Sequence, residues 1–335
     1  MRKTHSRRRV LEAVGLAAAG GLAGCAEDGA TTPTATGTPT ATPTEQSAIP
    51  SYADFVPDGD GPVGFTMWDL DIEPGHRIST VPEEPTDPLR YGSTLGAYVE
   101  FLTGGFMQML TYPFDADRLD TGGRERTLNV NGVAVQELPV DLSGAIADAE
   151  SGDATVQLEA DDRAVIAGST GGTFGLTEDA LAFPVVSAAD ATALVRDVVD
   201  TRAGAATPRH ETDDSFAALL RAGDTTGSVA CGYGPETDLS SVVGAESSLG
   251  ISLPAEGYEA ASGAVFHIDL DNGDPLQPAS GTVRYADESS VDAESLSSLG
   301  SAAENRELTQ DGQTVRVTGE YSWESLSAFD GADES

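Results

Sequence analysis

A formal net charge of −37, from 55 acidic side chains against 18 basic ones, constrains this chain before any secondary structure is considered. Like charge at that density raises the energy of a folded surface and loosens the compact state. The acids are scattered singly and in pairs along the whole length, so they belong to the surface of a body and not to an acidic tail. Screening resolves the conflict. At about 1 M salt the Debye length is ~3 Å, and neighbouring carboxylates hardly sense one another while their hydration keeps the surface soluble. The composition therefore predicts a body adapted to concentrated salt. It also argues against nucleic acid as a partner, because phosphate binding needs clusters of Lys and Arg. The sole lysine is Lys3, and no basic cluster follows the first ten residues.

Those first residues carry the strongest motif. Ser6-Arg7-Arg8-Arg9-Val10-Leu11 has the Ser-Arg-Arg-x-apolar-Leu pattern of a twin-arginine export signal, and Arg2 and Lys3 complete its positive n-region. From Val10 to Gly24 the chain is apolar and small, interrupted only by Glu12. A stretch of about 15 residues is short for a bilayer span of ~20, which predicts a cleaved signal over residues 1–24 and not a retained helix. Leu22-Ala23-Gly24-Cys25 then resembles the lipobox of bacterial and archaeal lipoproteins, where cleavage precedes the cysteine and its thiol accepts the lipid. With the stalk described next, the chain is similar to twin-arginine-exported lipoproteins of haloarchaea. That resemblance implies export through Arg7 and Arg8, a lipid on Cys25 and a place on the outer face of the cell membrane. It implies no activity.

Removing residues 1–24 takes away Arg2, Lys3, Arg7, Arg8, Arg9 and Glu12, leaving 13 basic residues against 54 acidic and a net charge of about −41. Such a body stands off anionic headgroups and is held by its anchor. Cys231 is the only other cysteine, so acylation of Cys25 precludes an intrachain disulfide. Residues 25–48 read as the lipidated cysteine and a stalk: Thr-Pro repeats recur at Thr32-Pro33, Thr38-Pro39 and Thr42-Pro43, and large apolar side chains are almost absent. Proline keeps such a stretch extended at ~3.1 Å per residue.

Globular composition begins at Ile49, and two α+β domains are expected, over 49–235 and 236–335. Val63 to Ile72 reads as a strand. Leu95, Tyr98, Val99, Leu102, Phe106, Met109 and Leu110 recur at helical spacing. Asn131-Gly132 predicts a hairpin between Thr127–Val130 and Val133–Gln136, and Ala154–Glu159 pairs with Arg163–Gly168. Ser187 to Thr201 is a helix opened by a capping-box pattern, and Phe216, Leu219 and Leu220 mark a shorter one. The last third reads strand Ala264–Leu270, strand Gly281–Tyr285, helix Val291–Ala303 and a hairpin at Asp311-Gly312. Strands returning through tight turns with helices between them predict antiparallel sheets with helices packed on one face, in the style of two ferredoxin-like units. Phe65-Thr66-Met67-Trp68-Asp69-Leu70-Asp71 aligns with Val265-Phe266-His267-Ile268-Asp269-Leu270-Asp271, a hint of internal duplication.

Candidate chemistry is sparse. Asp69, Asp71 and Glu73 alternate, so a regular strand presents all three on one face with His76 just beyond, an oxygen-rich set that suits a divalent cation. A solvated face is the simpler reading in so acidic a chain. His267, Asp269 and Asp271 form a similar set, but Gly273 falls one place early for a calcium loop and Ser280 stands where its twelfth-position Glu belongs. No Gly-x-Ser-x-Gly or phosphate-loop spacing occurs, and Cys231 lies in an apolar strand context that favours burial. No cofactor beyond that cation is expected. These features favour a non-enzymatic surface protein that binds an envelope protein or a solute. The alternatives are an extracellular metal-dependent hydrolase using Asp69, Asp71, Glu73 and His76, and a two-lobed receptor that hands solute to a transporter.

Overall fold

The computed structural model describes residues 48–69, 87–90, 111–169, 172–185, 190–222, 227–234, 258, 260–270 and 274–327. The leader, Cys25, the stalk and the helical stripe from Leu95 to Leu110 lie outside them.

Asn131 and Gly132 adopt φ of 49° and 84°, the left-handed pair that a two-residue hairpin requires and that these residues tolerate. They reverse β2 (Arg126–Val130) into β3 (Val133–Glu137) in the predicted register. The same antiparallel logic extends through β1 (Val63–Asp69), β4 (Thr155–Ala160), β5 (Arg163–Ala167), β6 (Thr173–Thr177), β7 (Ala180–Pro184), β8 (Ser228–Tyr233), β9 (Ala261–Ile268), β10 (Leu276–Tyr285), β11 (Glu304–Asp311) and β12 (Thr314–Ser322). All join one sheet in the order β11-β12-β10-β9-β8-β1-β2-β3-β7-β6-β5-β4, and every neighbouring pair is antiparallel. The α+β class holds, but the strands build one sheet of twelve instead of two ferredoxin-like units. β8 and β9, on either side of residues 235/236, are hydrogen-bonded neighbours within it.

Two helical crossovers set the layers. The helix α1 (Leu142–Ser151) links β3 to β4 across β7, β6 and β5. The helices α2 (Ala191–Arg202), α3 (Arg209–Thr212) and α4 (Asp214–Leu220) link β7 to β8 across β3, β2 and β1. Strand side chains alternate between faces, and the cores follow that alternation. Val133 and Val135 pack with Val195, Val198 and Phe216 of α2 and α4. Ala134, between them, packs with Leu142, Ala145 and Ala149 of α1. Helices therefore cover both faces of this region, not one as expected, because β3, β5 and β7 carry apolar residues at successive positions and must bury both sides.

At the other end the core changes sides. In β9, Val265 joins the cluster under α2 and α4, whereas Ala264, Phe266 and Ile268 join a third cluster on the opposite face with Val283, Val315, Val317, Leu296 and Leu299. Leu296 and Leu299 come from a segment expected to be helical. It holds the 3-10 turn Ser295–Ser298 instead, and another, Glu288–Ser290, precedes it. Asp292 accepts from the Ser295 N–H and hydroxyl, and Asp287 from Ser289 and Ser290, so short polar side chains compete with helical hydrogen bonding. Gly300, at φ 70°, then ends the run. The buried Asp87 carboxylate fastens this segment, accepting from the Gly300 and Ala302 N–H groups and the Tyr321 hydroxyl at 2.8, 2.9 and 2.8 Å.

Both sheet edges are blunted against further pairing. β4 slips register between Val156 and Leu158 and carries Glu159; β11 slips between Glu304 and Glu307 and carries Asp311. Bulges and acids on an edge strand are the usual protection against intermolecular pairing.

Candidate functional site

Asp69 ends β1 on the same face as Phe65 and Met67, and the register sets it opposite Arg126, which in turn stands opposite Glu137. Arg126 Nε lies 2.6 Å from a Glu137 carboxylate oxygen, and Arg126 Nη2 donates to the Ser51 hydroxyl at 3.2 Å. From α2, Arg202 reaches Asp179 at 2.5 Å, Asp54 at 3.5 Å and Glu137 at 4.0 Å, and stacks 4.8 Å from the centre of the Phe55 ring. His210 Nε2 lies 3.8 Å from Asp54. Burial pushes the Glu137 carboxyl above the usual range, and the nearby guanidiniums of Arg126 and Arg202 only partly offset it. This carboxyl is hemmed in by guanidiniums that stitch the 3-10 turn Ser51–Phe55 to the sheet and α2. Its chemistry is that of an ion-pair clasp.

Of the four residues expected to hold a divalent cation, only Asp69 is described; Asp71, Glu73 and His76 lie outside the described residues. Its cross-strand neighbour is a cation, a placement that disfavours a second positive charge. Among the described residues no group of three His, Cys, Asp or Glu side chains is arranged to hold a metal ion. His267 is buried on β9 between Val229 and Ser280. Cys231 is buried between Phe65 and Val265, and burial raises its thiol so far that thiolate does not form near neutrality. Phe65 and Val265, equivalent in the Asp-Leu-Asp alignment, both face Cys231, as Met67 and His267 both face Val229. The aligned segments thus flank β8 in matching register.

An open groove of about 710 Å³ lies between α1 and β4. Val140, Leu142, Ile146 and Ala147 supply apolar surface, and Asp141, Glu150, Glu159, Asp161 and Glu178 supply carboxylates. Its wall is built by the capping of α1: the Asp141 side chain accepts from the Gly144 N–H at 3.1 Å, the largest influence holding that carboxyl below its ordinary range. Arg118 adds to it, bridging Asp141 at 2.8 Å and Asp148 at 2.9 Å and so binding the preceding loop to the helix. Glu150, Glu159 and Asp161 form no ion pair among the described residues, so the rim faces outward with its negative charge largely uncompensated. Sequence reading missed this groove because it missed α1, whose signals were Asp141 before the helix and Gly152 after it.

No protein-family model matches the chain, and no curated protein sequence matches it. Among solved structures, crystal form I of TP0453 is similar at 6% identity over 84% of this chain and 96% of that one, with a TM-score of 0.39. Crystal form III of TP0453 is similar at 9% identity over 82% and 95%, with a TM-score of 0.32. At these values the likeness says nothing of function.

Proposed function

We propose that the chain is a lipid-tethered binding protein on the outer face of the cell membrane, and that the groove between α1 and β4 receives a cationic ligand with an apolar body. The leader, the Cys25 lipobox and the Thr-Pro stalk support the address. The groove carries the binding reading, because apolar side chains and carboxylates, of which only Asp141 is ion-paired, line it together at a size typical of small-ligand sites. In molar salt the rim alone attracts weakly, so contact with Ile146 and its neighbours must supply much of the affinity. The twelve strands form one sheet, an arrangement unlike the two lobes and cleft of a solute receptor. Calorimetric titration of the full chain with linear polyamines in molar KCl tests the reading. Binding that is lost in Glu159→Gln with Glu178→Gln and weakened in Ile146→Ser supports it; binding insensitive to all three changes contradicts it. For the address, Cys25→Ser should release the chain from the membrane fraction.

A further inference from the structure

The carboxylates that line the groove between α1 and β4 stand at two ends of it. The β4–β5 turn, the β6–β7 turn and the start of α1 share one end of the sheet: Arg163 is opposite Thr177, Thr177 is opposite Ala180, and the Val140 N–H donates to the Glu178 carbonyl at 2.9 Å. Asp161 and Glu178 therefore stand near Asp141, the cap of α1. From there α1 runs away from that end for 10 residues, and Gly152 turns the chain back toward β4. Glu150, in the last turn of α1, is set about 13 Å along the helix axis from Asp141. Its side chain leans back toward the helix N-terminus, which leaves roughly 10 Å between the two ends. Leu142 and Ile146 fill that interval with apolar surface.

The position of Glu150 is unfavourable for the helix alone. A carboxylate in the last turn faces the negative end of the helix dipole, and α1 has no basic residue there to offset it. Asp148, in the same turn, is bridged by Arg118, whereas Glu150 is exposed and forms no ion pair among the described residues. A bound cation would relieve that cost. Building on the reading of the groove as a cation site, we infer that its ligand is a linear dication: two ammonium groups joined by an apolar spacer of roughly 10 Å. Asp161 and Glu178 hold one end and Glu150 holds the other, while Asp141 stays committed to Arg118 and the Gly144 N–H. A single ammonium leaves one end unmatched, and a bare metal ion leaves Leu142 and Ile146 uncovered. In molar salt each exposed ion contact contributes little, so the spacer supplies affinity and the two ends set the length of ligand accepted.

The probes are octylamine, diaminobutane and diaminooctane, titrated calorimetrically in molar KCl against the full chain and against Glu150→Gln. Diaminooctane, long enough to reach both ends, should bind Glu150→Gln about threefold more weakly than the native chain. Octylamine and diaminobutane, whose ammonium groups reach only the Asp161 and Glu178 end, should bind both chains alike, because a Debye length of ~3 Å hides Glu150 from a cation held at the far end. Glu159→Gln with Glu178→Gln should weaken all three. Unchanged melting of Glu150→Gln shows that the variant is folded. Equal loss of octylamine and diaminooctane binding in Glu150→Gln, or no loss of diaminooctane binding, would overturn the two-ended ligand and leave the groove a cation site. Absence of binding by all three amines would overturn the reading of the groove and this inference with it.

Discussion

One row of side chains crosses the whole sheet on a single face: Glu307, Thr318, Ser280 and His267, then Val229, Met67, Leu128, Val135, Ala182, Gly175, Val165 and Leu158. Its first third is polar and the remainder apolar, with the change between β9 and β8. The apolar part lies beneath α2 and α4; the polar part backs onto the cluster of Phe266, Val283, Val315 and Val317 on the other face. The two regions thus solve burial differently. Around β3, β7, β6 and β5 helices cover both faces, while β10, β12 and β11 bury one face and leave the other polar. A strand of the first kind reads as an apolar run, and one of the second kind as an alternation.

The contrast can be broken at its strongest point. Phe65→Ala removes a fully buried ring from the apolar region and should cost about 3–5 kcal/mol by denaturant unfolding in molar KCl, while Thr318→Ala in the polar region should change stability by no more than about 0.5 kcal/mol. Comparable losses would dissolve the distinction. Gly175→Ala probes how closely helix and sheet meet: an added Cβ would fall 2.6 Å from a Val199 methyl and 2.7 Å from a Val195 methyl, so a cost of about 1–3 kcal/mol is expected. The smallest net effect should come from Glu137→Gln, within about 1 kcal/mol of the native chain near neutral pH, because relief of a carboxylate disfavoured by burial is offset by the charge lost to Arg126 and Arg202. The sign of the pH dependence follows from the raised folded-state pKa. The folded chain binds this proton more readily than the unfolded one, so Glu137's contribution is fully present below the unfolded pKa and is lost as pH rises through the folded one. That part of the pH dependence should be missing in the variant.

Local chemistry made several elements legible. Asn131-Gly132 announced its hairpin through its tolerance of positive φ, and the pattern Leu194, Val195, Val198, Val199 announced α2, although the helix starts at Ala191 with Asp190 as its cap. β6 and β7 went unread because Thr173–Thr177 and Ala180–Pro184 are nearly all buried and so show no alternation. The union of strands into one sheet depends on β1 to β8 and β8 to β9 pairings between segments far apart in sequence, which no local pattern encodes. The candidate sites were still less legible. Asp69 was noticed for its alternating neighbours, but its opposition to Arg126 appears only once the strands are registered.

Thiol labelling of the Cys25→Ser chain tests the division of that face most directly, since Cys231 is then the sole cysteine and lies in the apolar region. In molar KCl the folded chain should take up no label until it is unfolded, and adding Thr318→Cys should introduce one rapidly labelled thiol without exposing Cys231. Rapid reaction of Cys231 in the folded chain, or a protected thiol at position 318, would contradict the account.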